Sequence, residues 1–244
     1  MGAPTTSQLT KGFPPCGPAP ACSECGDRLV DRAATLSGWD LRQFGSREGV
    51  WVCTPCAEVL KATWRMEHVA ELMAEARIPR VHRAAELAHL PMLLQKELAR
   101  WAATSENLAV FGPIGAGKSY ALAAVCRELL VRGRSVQWWA TTDVLIAARS
   151  FDLWEAETLP RLRGVDVLVL DDIGAERGTD FGLATLAALV GGRWDEGLPT
   201  AVSSNLDVAA LLRWHPRTAS RLLSGSRVQL TGRDRRLSRR AGGA

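Results

Sequence analysis

The chain has 244 residues, an apolar fraction of 47% and a formal net charge of +4, which suit one ordinary domain with a small appendage and a real hydrophobic core. No run approaches the ~18 consecutive apolar residues of a membrane span, and the first 20 residues lack the apolar centre of a secretion signal. We therefore expect a cytoplasmic protein without membrane contact.

The N-terminal part of the chain divides by composition into two segments. Residues 1–21 are rich in Pro, Gly and Thr and poor in apolar side chains, which predicts disorder. Residues 22–77 carry cysteine pairs and then the stretch AEVLKATWRMEHVAELMAEAR from Ala57 to Arg77. Its apolar residues return at three- and four-residue steps, which predicts an amphipathic helix that ends before Pro79.

Cys22, Cys25, Cys53 and Cys56 form two C-x-x-C pairs with 27 residues between them, a longer separation than the roughly 15–20 residues of a common zinc pattern. Each pair can wrap one side of a tetrahedral ion, and CSECG and WVCTPC resemble the two knuckles of a zinc ribbon. We predict a structural Zn²⁺ site with four thiolates. Disulfides are the alternative, which a cytosolic location disfavours. Cys16 could be a spare or substitute ligand.

Short apolar segments alternate with helical patterns from residue 107 onward. The segments are LAVF (108–111), SVQWWA (135–140), VDVLVL (165–170) and PTAVSS (199–204). This alternation predicts an α/β fold over residues 107–236, with a parallel sheet covered by helices on both faces. Residues 78–106 form a predicted helical linker, and residues 237–244 a basic tail. Trp138 and Trp139 cannot both face one side of a strand, so at least one is expected in the core.

The segment GPIGAGKS, 112–119, fits the phosphate-loop pattern G-x-x-x-x-G-K-[ST] between a predicted strand and a predicted helix. Backbone amides of such a loop converge on phosphate oxygens, and the helix N-terminus adds partial positive charge. We expect Lys118 to reach the β- and γ-phosphates of ATP and Ser119 to ligate Mg²⁺. The predicted nucleotide-binding residues are Gly112, Pro113, Gly115, Ala116, Gly117, Lys118, Ser119 and Tyr120.

Two acidic residues follow the buried strand of VLVLDDIG, 167–174. Asp171 comes at its carboxyl end, where it can hold the water shell of magnesium, and Asp172 can orient or deprotonate an attacking water. Asn205 ends the segment PTAVSS, where it would face the γ-phosphate, although asparagine is also a common turn former. The acidic pair favours nucleotide hydrolysis over binding alone.

The order of these motifs resembles the AAA+ P-loop ATPases of the DnaC/DnaI helicase-loader group, with the IstB-type transposition ATPases as close relatives. The likeness covers roughly residues 78–236 and includes IPRVHRA, the phosphate loop and its helix, GVDVLVLDDIG, TAVSSN and RTASRLLSGSRVQLTGRDRR. It implies a weak ATPase, stimulated by assembly or DNA, that grips single-stranded DNA and opens or escorts a ring-shaped replicative helicase. A metal module ahead of such a core resembles the DnaI arrangement, in which the front domain contacts the helicase. Direct DNA binding is the competing role for the module.

The same resemblance assigns further site residues. Asn205 resembles the sensor residue, and Arg221 resembles the arginine finger that reaches a neighbouring subunit's ATP, which implies a homo-oligomer. Arg217 is the nearest competitor, and a surface ion pair is the alternative role for Arg221. Either Arg235 or Arg236 corresponds to an arginine at the end of the family core. Arg149 and Phe151 fall near the segment that contacts single-stranded DNA, although Phe151 could equally be a core residue.

Several other classes of protein contain a phosphate loop of this kind. LLSGS, 222–226, follows the acidic strand rather than preceding it, an order that excludes an ABC transporter ATPase. A small-molecule kinase fits the loop, but no acceptor site is identifiable. A transposition regulator of the IstB type, acting on target DNA and a transposase, is the main alternative to the loader. The third alternative is a binding module, in which the N-terminal ribbon recruits a partner and the ATPase acts only as a switch.

Overall fold

A computed structural model describes residues 54–175, 179–232 and 234. The chain divides between Trp64 and Arg65 into two units. Of the first unit, residues 54–64 are described, and they belong to helix α1, Thr54–Glu67. The predicted disordered segment 1–21, the predicted ligands Cys22, Cys25 and Cys53, the arginines Arg235 and Arg236 and the tail 237–244 lie outside the described residues.

The prediction of one continuous helix from Ala57 to Arg77 is wrong, because two helices cover this part of the chain. Helix α1 ends at Glu67, and α2 is Val69–Glu75. His68 between them has φ −103° and ψ 17°, outside the helical region. Helix α2 buries Val69 and Met73 in the same core as the central strands. Residues 69–75, which the sequence assigns to the N-terminal module, therefore belong to the second unit.

The predicted helical linker is also divided. Two 3₁₀ turns, Arg80–His82 and Leu87–His89, precede helix α3, Met92–Trp101. Pro91 stands directly before α3, where its missing N–H costs no helical hydrogen bond. Leu90, the residue before the proline, has the extended backbone that this position favours. The proline thus separates the last 3₁₀ turn from α3.

Five parallel strands form one sheet in the order β2-β3-β4-β1-β5. They are β1 Leu108–Phe111, β2 Val136–Ala140, β3 Val167–Asp171, β4 Thr200–Ser204 and β5 Ser226–Gln229. The four predicted strands are confirmed to within two residues at each end. The fifth was not predicted, because Val228 is its single buried residue and a short edge strand carries little hydrophobic pattern.

Helices connect the strands and cover both faces of the sheet. They are α4 Lys118–Val131, α5 Thr141–Ala147, α6 Phe151–Leu153, a π-helical segment Trp154–Thr158, α7 Leu159–Gly164, α8 Asp180–Asp195, α9 Val208–Trp214 and α10 Pro216–Leu222. Helices α2, α3 and α4 pack on one face, and α5, the π-helical segment and α7 to α10 pack on the other. No described helix is both long and apolar enough to span a bilayer.

Alternating side chains of each strand enter two separate cores. In β1, Leu108 and Val110 point into the core under α4, whereas Ala109 and Phe111 point into the opposite one. The two adjacent tryptophans behave in the same way. Trp138 is 3% exposed in the first core and Trp139 is 6% exposed in the second. The prediction that at least one is a core residue is confirmed.

Buried polar groups fasten the amino edge of the sheet. The guanidinium of Arg193 is fully buried and donates to main-chain oxygens of Leu162, Val165 and Pro199 at 2.6–2.8 Å. Burial lowers its pKa to about 10, so it stays charged at neutral pH. The Asn107 side chain accepts from the Thr200 amide at 2.7 Å. These bonds fix where the strands begin and hence where their carboxyl ends lie.

Candidate phosphate-binding site

The loop between β1 and α4 has the backbone shape that phosphate binding requires. Gly115 has φ 76° and Gly117, directly before α4, has φ 99°. Both values lie in the left-handed region, which glycine enters without steric cost. The Ala116 amide donates to the Pro113 carbonyl at 3.2 Å, which closes the loop on itself. The loop therefore sits at the carboxyl end of β1, an inner strand of the sheet, with the first turn of α4 behind it.

Lys118 connects the loop to the end of β4. Its side chain is buried, and Nζ donates to the carbonyls of Gly112 at 2.9 Å and Pro113 at 3.0 Å. Nζ also donates to Oδ1 of Asn205 at 2.6 Å. The structure thus brings together the two residues that the sequence expects at the γ-phosphate. They come from elements 87 positions apart in the chain.

The carboxylate of Asp171 faces the first turn of α4. Ser119 Oγ donates to Asp171 Oδ1 at 3.0 Å, and Ser203 Oγ donates to the same oxygen. Burial raises the pKa of Asp171, and the charge of Asp172 raises it further, while the two serine hydrogen bonds oppose this rise. Hydroxyl and carboxylate oxygens are the hard ligands that Mg²⁺ prefers. Ser119 and Asp171 therefore fit the predicted magnesium site.

Asp172 has an unusual backbone conformation beside this pair. Its φ of 59° places a non-glycine residue in the left-handed region, an uncommon state that aspartate tolerates better than most residues. The Asp172 amide donates to Ser203 Oγ at 2.8 Å, and Asn205 Nδ2 donates to Asp172 Oδ1 at 3.4 Å. The turn leaves the Asp172 carboxylate exposed at the edge of the sheet, where an attacking water would need it.

Ser203 is a site residue that sequence reasoning missed. It is fully buried in β4, donates to the Asp171 carboxylate and accepts from the Asp172 amide. The available signal was the polar pair Ser203-Ser204 at the end of an otherwise apolar strand. Such serines are common in strand ends, and only the pairing of β4 with β3 shows that Ser203 faces the acidic pair.

A cleft of about 230 Å³ with both polar and apolar walls adjoins the phosphate loop. Its walls include Leu90, Pro91 and Leu94 from the linker, Ala116 and Gly117 from the loop, and Leu230 after β5. Tyr120, which the sequence groups with the nucleotide-binding residues, does not line this cleft. Its hydroxyl lies 3.0 Å from Nδ1 of His89. Tyr120 is therefore not part of the cleft beside the loop.

Arg221 lies at the opposite edge of the sheet from the phosphate loop. Its carbonyl accepts from Asn107, directly before β1, at 2.7 Å, whereas the loop begins directly after β1. A four-residue strand is about 13 Å long. The Arg221 guanidinium lies against Gly191 of α8 and pairs with Asp195 at 3.8 Å. These contacts place the guanidinium away from the loop of its own chain.

The predicted DNA-contacting residues lie on the surface between β2 and β3. Arg149 is exposed, and Phe151 is 68% exposed at the start of α6. Phe151 is therefore not a core residue, which removes the alternative that the sequence left open. Contact of these residues with DNA stays a prediction.

The predicted zinc site falls largely outside the described residues. Cys56 lies in the first turn of α1 and is half-buried, and Cys126 is buried in α4, where burial raises the pKa of its thiol. Among residues 54–175, 179–232 and 234, no group of three or more His, Cys, Asp or Glu side chains could hold a metal ion. Zinc binding by Cys22, Cys25, Cys53 and Cys56 stays a prediction.

Replacing Asp171 by asparagine is expected to stabilise the fold at neutral pH. The pKa of Asp171 in the folded state lies above its ordinary value of 3.8. The carboxylate therefore destabilises the folded state at any pH at which it is charged. The gain in the free energy of unfolding should be present at pH 7 and should disappear below about pH 4, where the wild-type carboxyl is protonated. A gain of ~1 kcal/mol would raise Tm by about 2–4 °C. Thermal denaturation of both proteins at the two pH values measures it, and a lower Tm at pH 7 would contradict the burial argument.

Comparisons with known proteins agree with this geometry. No protein-family model matches the chain. It is 31% identical over 114 residues to the replicative helicase loader DnaC of Escherichia coli K12, which is 44% of this chain and 46% of that protein. It is 31% identical over 99 residues to a "Putative insertion sequence ATP-binding protein" of Sinorhizobium fredii, 39% of this chain and 33% of that protein. The chain thus spans less than half the length of these relatives.

A solved structure of DnaI superimposes with a TM-score of 0.56 and 24% sequence identity, covering 64% of this chain and 93% of DnaI. At this identity the likeness concerns the fold. The features that agree are the parallel five-stranded sheet and its flanking helices. The chain therefore has a P-loop α/β fold of this kind.

Proposed function

We propose that the protein binds and hydrolyses ATP with Mg²⁺ and uses this cycle in DNA replication as a helicase loader. One observation carries the proposal: at the carboxyl edge of the sheet, Lys118 of α4 donates to Asn205, directly after β4, at 2.6 Å, and Ser119 of α4 donates to Asp171, at the end of β3, at 3.0 Å. Their ammonium, hydroxyl, carboxylate and amide groups are those that phosphoryl transfer uses. The similarity of 114 residues of the chain to a replicative helicase loader supports the biological role.

Each side chain has a separate task in this scheme. Lys118 exchanges its carbonyl partners for phosphate oxygens, and the loop amides orient the phosphate chain. Ser119 and Asp171 would hold Mg²⁺, which neutralises charge on the β- and γ-phosphates when bound. Asp172 orients the attacking water and accepts its proton, and Asn205 holds the Asp172 carboxylate in place. The apolar part of the cleft wall beside Gly117, formed by Leu90, Pro91 and Leu94, is a surface on which a base can pack.

Arg221 is proposed to act on the ATP of a neighbouring copy. The length of β1 separates it from the loop of its own chain, so a role within the same chain does not fit the geometry. A guanidinium supplied by a neighbour stabilises charge that develops in the transition state. Hydrolysis would then depend on assembly into a homo-oligomer.

Arg149 and Phe151 are proposed to contact single-stranded DNA. A cation and an exposed aromatic ring two residues apart suit backbone contact and base stacking. The N-terminal cysteines are proposed to hold Zn²⁺ in a module that binds the helicase. Structural zinc stabilises a segment with too small a core to fold alone.

A transposition role is the second candidate, because the chain is also similar to an insertion sequence ATP-binding protein. In that role the partners would be target DNA and a transposase. Both candidates use the same ATPase core. Partner identity, rather than ATP binding, distinguishes them.

Co-purification of the full chain with a replicative helicase, compared with a transposase, tests the proposed role. We expect the wild type to hold about one zinc per chain and to retain the helicase in the presence of ATP. Cys53→Ser should lose the zinc, because a structural site needs four ligands, and should release the helicase while still binding ATP. Cys126→Ser, a change in the core of the ATPase, is the control for loss of a thiol. Retention of the transposase alone would favour the second candidate.

Replacing Ser203 by alanine should lower the rate of ATP hydrolysis by about 10- to 100-fold, the usual cost of removing a group that orients a metal ligand. The change removes the hydrogen bond to Asp171 and the acceptor of the Asp172 amide. Single-turnover hydrolysis at several Mg²⁺ concentrations measures the effect. Ser204→Ala is the matched control, because it also removes one donated and one accepted bond, to the Ile173 carbonyl and from the Leu206 amide, but none to the acidic pair. Equal rates for the two variants would contradict a specific role for Ser203.

A further inference from the structure

The chain that follows β5 runs directly along the phosphate loop. The Leu230 amide donates to the Phe111 carbonyl, the last residue of β1, at 2.7 Å. A Cβ atom added to Gly112 would lie 2.6 Å from the Leu230 carbonyl oxygen. The first glycine of the loop is therefore in contact with this segment, and no larger residue fits there.

Asp234 is in contact with the middle of the same loop. A Cβ atom added to Gly115 would overlap the Asp234 carboxylate and would lie 2.7 Å from Asp234 Cα. Gly115 also has φ 76°, which disfavours any side chain. Both the main chain and the carboxylate of Asp234 thus lie against the part of the loop that is built to surround phosphate oxygens.

The charge of Asp234 is opposite to that of its surroundings. The loop presents main-chain amides, the positive end of α4 and the Lys118 ammonium, all of which attract anions. A carboxylate is the side chain that most resembles a phosphate oxygen in charge and in hydrogen bonding. A phosphate bound by these amides would meet the negative charge of Asp234 at short range, and two anions at such a distance repel each other.

We propose that Asp234 competes with the phosphates of the nucleotide for this loop and that nucleotide binding displaces its side chain from Gly115. The proposal rests on the proposed function, in that the loop must bind a nucleotide. Leu230 and Thr231 of the same segment line the cleft beside the loop, so displacement of Asp234 also changes the cleft wall. Nucleotide affinity and the position of the segment after β5 are then coupled, and the coupling acts equally in both directions.

Asp234→Asn tests the competition, because it removes the charge and nearly preserves the shape. Calorimetric titration of the full chain with MgATP, and with inorganic pyrophosphate, should show about tenfold tighter binding by the variant. The gain should shrink when the ionic strength is raised to about 1 M, since salt screens the repulsion. Glu196→Gln, which removes an exposed carboxylate at the end of α8, is the matched control and should leave both affinities unchanged.

The outcomes separate this inference from the proposed function. Equal or weaker binding of ATP by Asp234→Asn, in protein with an unchanged thermal unfolding curve, would overturn the inference and leave the proposed function intact. A gain that persists at high salt would also overturn it, because a purely structural change is not screened. If the wild type binds neither ATP nor pyrophosphate, the proposed function fails and the competition fails with it.

Discussion

Lys118→Ala is expected to weaken ATP binding by about a hundredfold or more. The ammonium would make at least two charge-assisted hydrogen bonds to phosphate oxygens, each worth ~1.5–3 kcal/mol, and each ~1.4 kcal/mol is a factor of ten in affinity. In the structure the same ammonium bonds two loop carbonyls and Asn205. It is therefore already held where the phosphates would lie. Titration calorimetry with MgATP on the full chain measures the loss.

Lys96→Ala provides the control for Lys118→Ala. Lys96 is an exposed lysine of α3, so the change removes the same charge without touching the loop. We expect the affinity of this variant for ATP to equal that of the wild type. Circular dichroism of all three proteins separates loss of binding from loss of fold. A well-folded Lys118→Ala protein with wild-type affinity would remove the basis of the proposed ATPase.

Arg221→Ala is expected to leave ATP binding unchanged and to lower assembly-stimulated hydrolysis by about 10³-fold or more, the effect of removing an arginine finger in other phosphoryl-transfer systems. The physical reason is that the guanidinium meets charge that exists only in the transition state. Hydrolysis by the wild type should also rise with protein concentration, because the finger comes from a neighbour. Steady-state hydrolysis at saturating ATP over a concentration series measures both effects.

Two controls distinguish a finger from a structural ion pair. Asp195→Ala removes the partner of Arg221 on its own chain. This pair is long and its carboxylate is mostly exposed, so its loss should cost little stability and should not reduce hydrolysis. Arg217→Ala removes an exposed arginine one turn earlier on α10. A loss in Asp195→Ala equal to that in Arg221→Ala would favour the structural role, and a loss in Arg217→Ala alone would move the finger to that residue.

The elements of the central sheet were predictable because their signals are local. Four apolar segments alternate with helical patterns, and each became a parallel strand within two residues of the predicted ends. The glycine loop before Lys118 was equally predictable, since left-handed backbone and close packing restrict the residue types there. The break at His68 and the 3₁₀ turns before Pro91 were missed, because a periodic apolar pattern does not show where backbone dihedrals leave the helix.

The amino-acid sequence alone therefore determined four of the five strands, the phosphate loop and the chemical nature of the site, because these depend on residue types at short spacings. Only the tertiary structure decided which distant residues meet. Ser203 reaches Asp171 through the pairing of β3 with β4, Arg221 lies one strand length from the loop, and Asp234 lies against Gly115. The physical reason is that sheet order and register bring together residues far apart in the chain, and no periodicity within a single segment encodes that arrangement.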